Sequence, residues 1–351
     1  MARVSAPSDI ARDHAARRLA ALATPPGALG RLGDLGVWVA SCQGQVPPQP
    51  LENVRLVIFA GDHGVAQHGV SAFPPAITGA MVRTFLAGQA GVSALAAAHG
   101  VSVRVLDLGV DEDFTDLAEP TRAALMEHKV RRGSGAIHVE DALTPEQTRA
   151  ALAAGAAVAR EEIAAGAQLL ISGDMGIGNT TPATALVAAA LGVAAGEVVG
   201  RGTGITDAGL AHKTEVIDAA LARAGARVED PIATLTALGS ADLAATTGYL
   251  HAAAQVGVPV LLDGLMSVAC ALTADRIEPG AAAWFAAGHR STEPGQSLAL
   301  SKLGVEPVLD LGMRLGEGSG AVAAVPVLRS AVAVLRDVAL LSELGPSSTD
   351  A

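Results

Sequence analysis

The segment most suited to chemistry is residues 173–182, Gly-Asp-Met-Gly-Ile-Gly-Asn-Thr-Thr-Pro, which follows a predicted strand and opens a predicted helix. Its glycines let the backbone approach an anion, and Asn179, Thr180 and Thr181 place donors at the positive end of the helix. The segment lacks the lysine of a P-loop and the last glycine of a dinucleotide-binding turn. An ordinary capped turn is the alternative; we favour a phosphate site.

A second glycine-rich segment, Gly-Arg-Gly-Thr-Gly at residues 200–204, precedes a helix that carries Lys213. The loop could close the other side of a monophosphate, with the lysine acting as a point charge. A single lysine on a helix is also commonly a solvated one. The sequence alone leaves both interpretations of Lys213 open.

Glu317 lies in the segment Met-Arg-Leu-Gly-Glu-Gly-Ser-Gly, residues 313–320, between a strand and a helix. The flanking glycines leave its carboxylate open to a bound ligand, where it could accept a proton. The same carboxylate could instead neutralise the dipole of the helix that starts near Ser319. The spacing favours neither role.

Two further polar segments predict less. Asp62 and His63 follow the first strand and could form a catalytic pair or part of a metal site, but they suit ordinary loop structure better. Residues 289–295, His-Arg-Ser-Thr-Glu-Pro-Gly, have no spacing that dictates a reaction. We expect a hydrogen-bonded loop there.

Short apolar segments alternate with helical ones, which predicts a parallel sheet buried on both faces by helices. The fold class is therefore α/β, a three-layer α/β/α arrangement with a mostly parallel, doubly wound (Rossmann-like) sheet and a small helical subdomain. Strands are predicted at 54–60, 101–108, 168–172, 198–200, 258–262, 281–286 and 308–311, and helices at 8–23, 28–43, 76–98, 145–165, 181–192, 207–224, 241–256, 265–274 and 319–337.

The helical N-terminal segment does not join this alternation. We expect residues 1–50 to form the helical subdomain, joined by the C-terminal helix at about 320–345, and residues 51–319 to form the α/β nucleotide-binding catalytic domain. Residues 345–351 are expected to be unstructured. In such a sheet, ligands bind beyond the carboxyl ends of the strands, where all the polar segments above are predicted to lie.

Composition excludes several classes of protein. The net charge of −11, without a basic tract, argues against nucleic-acid binding. The two cysteines, Cys42 and Cys270, form neither a disulfide framework nor a zinc motif. No signal peptide or membrane-spanning run is recognisable, so we expect a cytoplasmic protein without membrane contact. Hydrophobic residues make up 50% of the 351 residues but aromatics only 2%, which favours closely packed, alanine-rich helices.

Together the glycine-rich segments resemble the CobT family, the nicotinate-nucleotide–dimethylbenzimidazole phosphoribosyltransferases. Six stretches match in the family's order: PPGALGRL (25–32), GDHGV (61–65), GDMGIGNTT (173–181), GRGTG (200–204), LDG (262–264) and MRLGEGSGA (313–321). The resemblance implies a homodimer and a reaction that needs no metal ion or cofactor. β-Nicotinate mononucleotide and 5,6-dimethylbenzimidazole give α-ribazole 5′-phosphate and nicotinate, a step that builds the lower ligand of cobalamin.

The resemblance also implies roles for individual residues. Glu317 is the catalytic base. The phosphate- and ribose-binding candidates are Asp174, Gly176, Asn179, Thr180, Gly202, Thr203, Lys213, Ser291 and Arg314. The base pocket is expected to contain Phe73, Met81, Phe85 and Leu315.

The chain departs from the family pattern at several positions. It has Asp174 where the family usually has Glu, and Ala136 where Asn is common. The helix around Ala80 and Thr84 lacks amides often found there. These changes leave two alternatives open: the same reaction with another benzimidazole, a purine or a phenolic acceptor, or a nucleotide-binding protein without catalysis. A Rossmann dehydrogenase fits poorly, because no GxGxxG follows the first strand.

Overall fold

The computed structural model describes residues 3–345, and within them the chain forms one six-stranded sheet. Its strands are β1 (Val54–Gly61), β2 (Val101–Gly109), β3 (Leu169–Met175), β4 (Val260–Leu262), β5 (Phe285–His289) and β6 (Pro307–Leu309). The strand order is β2-β1-β3-β4-β5-β6, and all neighbouring strands are parallel. The predicted doubly wound parallel sheet is therefore confirmed.

Fourteen α-helices surround the sheet in the described residues. They are α1 (Asp9–Ala21), α2 (Gly30–Gln43), α3 (Ile77–Leu86), α4 (Gly91–His99), α5 (Glu119–Met126), α6 (Pro145–Ala164), α7 (Thr180–Leu191), α8 (Ala195–Val198), α9 (Asp207–Ala224), α10 (Pro231–Leu238), α11 (Ala241–Val256), α12 (Leu265–Ile277), α13 (Pro294–Leu303) and α14 (Ser319–Asp337). Local capping fixes many of their ends: Thr144 and Gln147, for example, form a capping box at α6.

The winding direction reverses between β1 and β3. From β1 the chain moves outward to β2, then crosses back over β1 and continues from β3 to β6 on the other side. A crevice opens at the carboxyl ends of the strands at such a reversal, and ligands bind there in sheets of this kind.

Small residues allow the helices to pack closely. A β-carbon at Gly155 of α6 would lie 1.7 Å from the carbonyl oxygen of Ala245 in α11, and one at Gly248 would lie 2.1 Å from that of Leu152. The two helix backbones therefore touch where each has glycine. This is the packing that the alanine-rich, aromatic-poor composition predicts.

The N-terminal helices α1 and α2 pack beside α14. Ala15, Ala40 and Leu335, one from each helix, share a small buried cluster, and Leu22 forms an antiparallel bridge with Leu340. Of the described helices, α14 alone is long and apolar enough to cross a membrane, but just over half of it is buried against the rest of the protein. Such burial is typical of a core helix.

Two predicted strands are wrong in position. No strand forms at 198–200, because residues 195–198 make a short helical turn in which the Glu197 carboxylate accepts a bond from the Ala194 N–H at 3.1 Å. Residues 281–284 form a 3₁₀ turn, and the strand begins only at Phe285. That turn follows Gly280, whose φ is +106°.

The helix predictions need corrections of two kinds. The single helix expected over 76–98 is divided into α3 and α4 at Gly88, whose φ is +69°. The helices α5, α10 and α13 were not predicted, although each has proline in its first turn, a favoured position. In the tail predicted to be unstructured, residues 346–351 lie outside the described part of the chain.

Candidate functional site

A cavity of about 500 Å³ opens at the carboxyl ends of the central strands. Its wall contains most of the candidates predicted from sequence: Phe73, Met81, Asp174, Gly176, Asn179, Thr180, Gly202, Thr203, Ser291, Arg314, Leu315 and Glu317. The wall also contains residues that the sequence did not indicate, among them Ile77, Met175, Ile177, Leu265, Met266, His289 and Glu293. The polar segments at 173–182, 200–204, 289–295 and 313–320 therefore meet in one place.

Lys213 is fully buried behind one end of this cavity rather than solvated on its helix. Its ammonium donates to Thr180 Oγ1 at 2.7 Å and to the Gly200 carbonyl at 3.1 Å, which ties the two glycine-rich loops together. Burial lowers the pKa of Lys213 to about 8, and the nearby Glu293 carboxylate opposes this shift. The result is a cation placed beside the N-terminus of α7, an arrangement suited to an anion.

Glu293 supports the second glycine-rich loop, residues 200–204. Its Oε1 accepts a hydrogen bond from the Gly202 N–H at 2.8 Å. A β-carbon at Gly200 would lie 2.0 Å from Glu293 Oε2, so this approach requires glycine at position 200. The sequence predicts only an ordinary loop around Glu293, because its partner Gly202 is 91 residues away in the chain.

Two further contacts join the 200–204 loop to Arg314 and to Ala72 at the mouth of the cavity. The Arg314 guanidinium donates to the Gly202 carbonyl at 3.2 Å, and Thr203 Oγ1 accepts from the Ala72 N–H at 2.9 Å. Ala72 precedes Phe73, which lines the cavity and is 52% exposed. The loop that is suited to phosphate thus also fixes the segment that carries an aromatic wall residue.

Asp174 is the last residue but one of β3, and it is buried where it lines the cavity. Its Oδ1 accepts a 2.6 Å bond from the Asn179 amide, which belongs to the same glycine-rich segment. Burial, and then the neighbouring Asp242 carboxylate, raise the pKa of Asp174 well above its usual range. The environment therefore favours the uncharged form, which would not repel a bound anion.

The Asp62–His63 segment is not among the described residues that line this cavity. Asp62 accepts a bond from the Asp111 N–H at 2.8 Å, as loop structure predicts. The buried His63 ring has Nε2 3.5 Å from Asp242 Oδ2. A β-carbon at Gly176 would lie 2.5 Å from His63 Nε2 and 2.2 Å from the Gly61 carbonyl oxygen. The segment therefore supports the glycine-rich loop from underneath.

Ser291 is buried after β5, next to Gln296 of α13. The Gln296 side-chain oxygen accepts from the Ser291 N–H at 2.6 Å, while its amide donates to the carbonyls of Asp263 at 3.0 Å and His289 at 2.9 Å. One side chain therefore holds the loop after β4 and the loop after β5 together.

Glu317 is buried, with 6% of its surface exposed, and it lines the cavity. Its φ is +65°, an unusual conformation for a residue other than glycine, and its Oε2 accepts from the Val92 N–H of α4 at 3.3 Å. Burial first, and then the charge of Asp263, raise the pKa of Glu317, whereas the Val92 bond lowers it. A desolvated carboxylate with a raised pKa is suited to accept a proton.

Asp263, and not Glu317, neutralises the dipole of α14 at its N-terminus. Asp263 accepts bonds from the first N–H groups of α14, those of Gly318, Gly320 and Ala321. The structure thus separates the helix cap from the cavity-facing carboxylate.

A second part of the cavity wall, the apolar end, consists of hydrophobic side chains. Phe73, Met81 and Leu315 line it as expected, with Leu315 53% exposed. Phe85 does not join them: it is 4% exposed and belongs to the core cluster that contains Val82 and Val92, so the assignment of Phe85 to the base pocket is wrong. A flat aromatic ring would fit this end better than a charged group.

The departures at Ala80, Thr84 and Ala136 lie away from this wall. None of the three is among the described residues that line the cavity. In the described part of the chain, no cluster of three or more His, Cys, Asp or Glu side chains is arranged to hold a metal ion.

Comparisons with known proteins identify similar sequences and a similar structure. The model of a phosphoribosyltransferase family matches residues 4–345. The nicotinate-nucleotide–dimethylbenzimidazole phosphoribosyltransferase of Mycolicibacterium paratuberculosis is 54% identical over 350 residues, covering 100% of this chain and 99% of the relative. The protein of that name from Mycobacterium tuberculosis is 52% identical, covering 98% of this chain and 94% of the relative. The crystal structure of CobT from Thermus thermophilus superimposes with a TM-score of 0.90 at 41% identity, covering 97% of this chain and 99% of that one.

Proposed function

The chain belongs to the family of nicotinate-nucleotide–dimethylbenzimidazole phosphoribosyltransferases, and from this premise we propose how its cavity performs the transfer. It is a pentosyltransferase that moves the ribose 5-phosphate of nicotinate mononucleotide to 5,6-dimethylbenzimidazole. The products are α-ribazole 5′-phosphate and nicotinate. One observation supports these roles. An anion-binding end, an apolar end and a desolvated glutamate all line the same cavity.

The phosphate binds at the end formed by Gly176, Thr180 and the 200–204 loop. Lys213 supplies positive charge from behind Thr180, and Arg314 supplies it from the mouth. Asp174, Asn179 and Ser291 lie where the ribose joins the phosphate to the ring. The uncharged form of Asp174, favoured by its burial beside Asp242, would donate a hydrogen bond to the nucleotide.

The chemical step breaks one bond and forms another at C1′. The bond from C1′ to the nicotinate nitrogen breaks, and its electron pair returns to the ring, which leaves as a neutral pyridine without needing a general acid. A ring nitrogen of the benzimidazole attacks C1′ from the opposite face, so the anomeric centre inverts from β to α. The N–H proton on the other nitrogen passes to Glu317.

Most of the rate enhancement comes from alignment. The two rings and C1′ must be held in line, and pre-arranged geometry of this kind lowers barriers by about 7–11 kcal/mol in well-oriented systems. The wall residues Phe73, Met81 and Leu315 orient the acceptor, while the glycine-rich loops fix the phosphate.

The direct test mixes the protein with nicotinate mononucleotide and 5,6-dimethylbenzimidazole and separates the products by chromatography. The proposal predicts α-ribazole 5′-phosphate and nicotinate in equal amounts. No product at any pH from 5 to 10, with nicotinate mononucleotide nevertheless bound in calorimetry, would favour the non-catalytic alternative.

A second candidate function is the same transfer to another acceptor base, and the composition of the apolar end favours it. Met81, Met175 and Met266 all line the cavity, and methionine side chains adapt to ligands of different shape. A competition between dimethylbenzimidazole, benzimidazole, a purine and a phenol decides this. A clear preference for dimethylbenzimidazole would exclude the wider specificity.

We also propose that the protein is a cytoplasmic homodimer, with residues 1–50 and 320–345 as a helical subdomain. The family resemblance supports the dimer, and the exposed apolar side chains of Ile10 and Leu341 offer contact surface. Light scattering after size-exclusion chromatography should give twice the chain mass of 34.9 kDa.

A further inference from the structure

Asp263 follows β4 directly and is buried, with 3% of its surface exposed. Its Oδ2 accepts from the Gly318 N–H at 3.0 Å, and its Oδ1 accepts from Gly320 at 2.8 Å and Ala321 at 3.0 Å. Helix α14 has no side-chain cap from its own N-cap residue, Gly318. A carboxylate from a distant strand therefore satisfies its first turn.

Close packing holds Asp263 in this position. Its own carbonyl accepts from Gln296, and the first turn of α14 rests directly on the end of β5. A β-carbon at Gly320 would lie 2.0 Å from the His289 ring, and one at Gly288 would lie 2.5 Å from Ala321 Cα. The first turn of α14 and the end of β5 can therefore approach this closely only because glycine occupies positions 288 and 320.

The consequence appears at Glu317, which immediately precedes this turn. A glutamate just before a helix could itself accept bonds from the N–H groups of the first turn. Here those groups are already bonded to Asp263, and the left-handed backbone of Glu317 turns its side chain toward Val92 of α4. The carboxylate is left facing the cavity.

We propose that Asp263 is a positioning residue for the transfer: by occupying the N–H groups of α14, it keeps the Glu317 carboxylate directed into the cavity. The inference rests on the proposed role of Glu317 as proton acceptor. Asp263 itself touches neither substrate in this scheme and acts through Glu317.

The charge of Asp263 adds a second effect. Burial raises the pKa of Asp263, but the His289 ring, 3.4 Å from Oδ1, and the α14 N–H groups outweigh it, so the pKa is lowered and the carboxylate stays ionised. Its negative charge in turn raises the pKa of Glu317. The other ionisable groups in the cavity wall are Asp174, His289, Glu293 and Arg314.

The test compares Asp263→Asn with the wild type in steady-state kinetics. The variant keeps the shape of the side chain but loses its charge and one acceptor for an N–H group. We expect kcat to fall by about tenfold or more while the KM for nicotinate mononucleotide changes little, because the loss acts through the general base. The acid limb of the kcat profile should move to lower pH, since the charge that raises the pKa of Glu317 is gone.

Asp230→Ala is the matched control. Asp230 is an exposed N-cap whose Oδ1 accepts from the Ala233 N–H of α10 at 2.6 Å, and it lies outside the cavity wall. Its removal should lower Tm by the ordinary effect of a lost cap but leave kcat and the acid limb unchanged.

A double variant separates positioning from general damage. If Asp263 acts through Glu317, adding Asp263→Asn to Glu317→Gln should lower kcat by less than about twofold further. Full additivity of the two losses, or an Asp263→Asn enzyme with wild-type kcat and an unmoved acid limb, would overturn the proposal.

The role of Asp263 can also be tested if the protein does not catalyse the proposed reaction. The pKa of Glu317 can be followed by carboxyl ¹³C NMR in the free protein, by difference from Glu317→Gln. A wild-type pKa that falls in Asp263→Asn supports the inference without turnover. An unchanged pKa contradicts it.

Discussion

The two ends of the cavity are built in different ways. At the anion end, buried side chains hold the loop backbone through contacts such as Lys213 to Gly200 and Glu293 to Gly202, and close approaches require glycine. At the apolar end, Phe73 and Leu315 are half exposed and make the wall with side chains alone. We therefore expect the phosphate to be recognised by a fixed site, and the acceptor ring by a wall that can change without disturbing the fold.

Glu317 belongs to neither the anion end nor the apolar end, and its replacement should have the largest effect on kcat. Glu317→Gln keeps the shape but cannot accept the benzimidazole proton, so kcat should fall by about 10²–10⁴-fold. Binding of nicotinate mononucleotide, measured by calorimetry, should change little. A variant with more than half of the wild-type kcat would contradict the role of base.

The same variant provides a stability control. The pKa of Glu317 is raised in the folded protein, so its ionisation opposes folding once the pH rises above the unfolded value. Glu317→Gln removes this cost, and its Tm should equal or exceed that of the wild type at pH 8. A large fall in Tm would mean that lost activity reflects lost structure.

At the anion end, Lys213→Met should weaken binding of nicotinate mononucleotide. Loss of a charge-assisted hydrogen bond costs about 1.5–3 kcal/mol, so KM should rise by about 10- to 100-fold with a smaller change in kcat. Lys302→Met, at an exposed lysine on α13, is the control and should change neither constant. Equal behaviour of the two variants would remove Lys213 from the phosphate site.

The fixed backbone of the anion end predicts a stability effect as well. Gly176→Ala places a β-carbon against the Gly61 carbonyl and the His63 ring, so Tm should fall in line with an overpacking cost of about 1–3 kcal/mol. Gly196→Ala, in the helical turn α8 with open space around it, should leave Tm unchanged or raise it. A tolerated alanine at position 176 would show that the loop can move.

The apolar end should respond least. Leu315→Ala removes a half-exposed wall residue, so the KM for the acceptor should rise by about fivefold, equivalent to about 1 kcal/mol. Binding of nicotinate mononucleotide and Tm should stay the same. A rise in both KM values would mean that the two ends are not independent.

The contrast between the two ends also explains what the sequence could predict. The 173–182 segment was recognisable because glycines, a cap and a strand-to-helix turn are local features. The burial of Lys213, the loop support by Glu293 and the cap by Asp263 depend on partners far away in the chain, which no local pattern reveals. Their roles became visible only when the sheet order brought the strand ends together.

The errors have two causes. Phe85 was expected in the base pocket, but tertiary packing buries it in the core cluster that contains Val82 and Val92. The helices α5, α10 and α13 were missed because they span only 8, 8 and 10 residues, which gives a short apolar pattern. A tertiary contact decided the outcome for Phe85, whereas for the helices the local pattern was too short.

The most direct test of Glu317 as the proton acceptor is the pH dependence of kcat at saturating substrates, compared between the wild type and Glu317→Gln. A carboxylate base works only when ionised, so the wild-type kcat should rise with pH along an acid limb. Because burial and Asp263 raise the pKa of Glu317, that limb should lie above the ordinary glutamate value of about 4.3. In Glu317→Gln the limb should be absent, with kcat low and flat. An unchanged acid limb in the variant would contradict the role of Glu317.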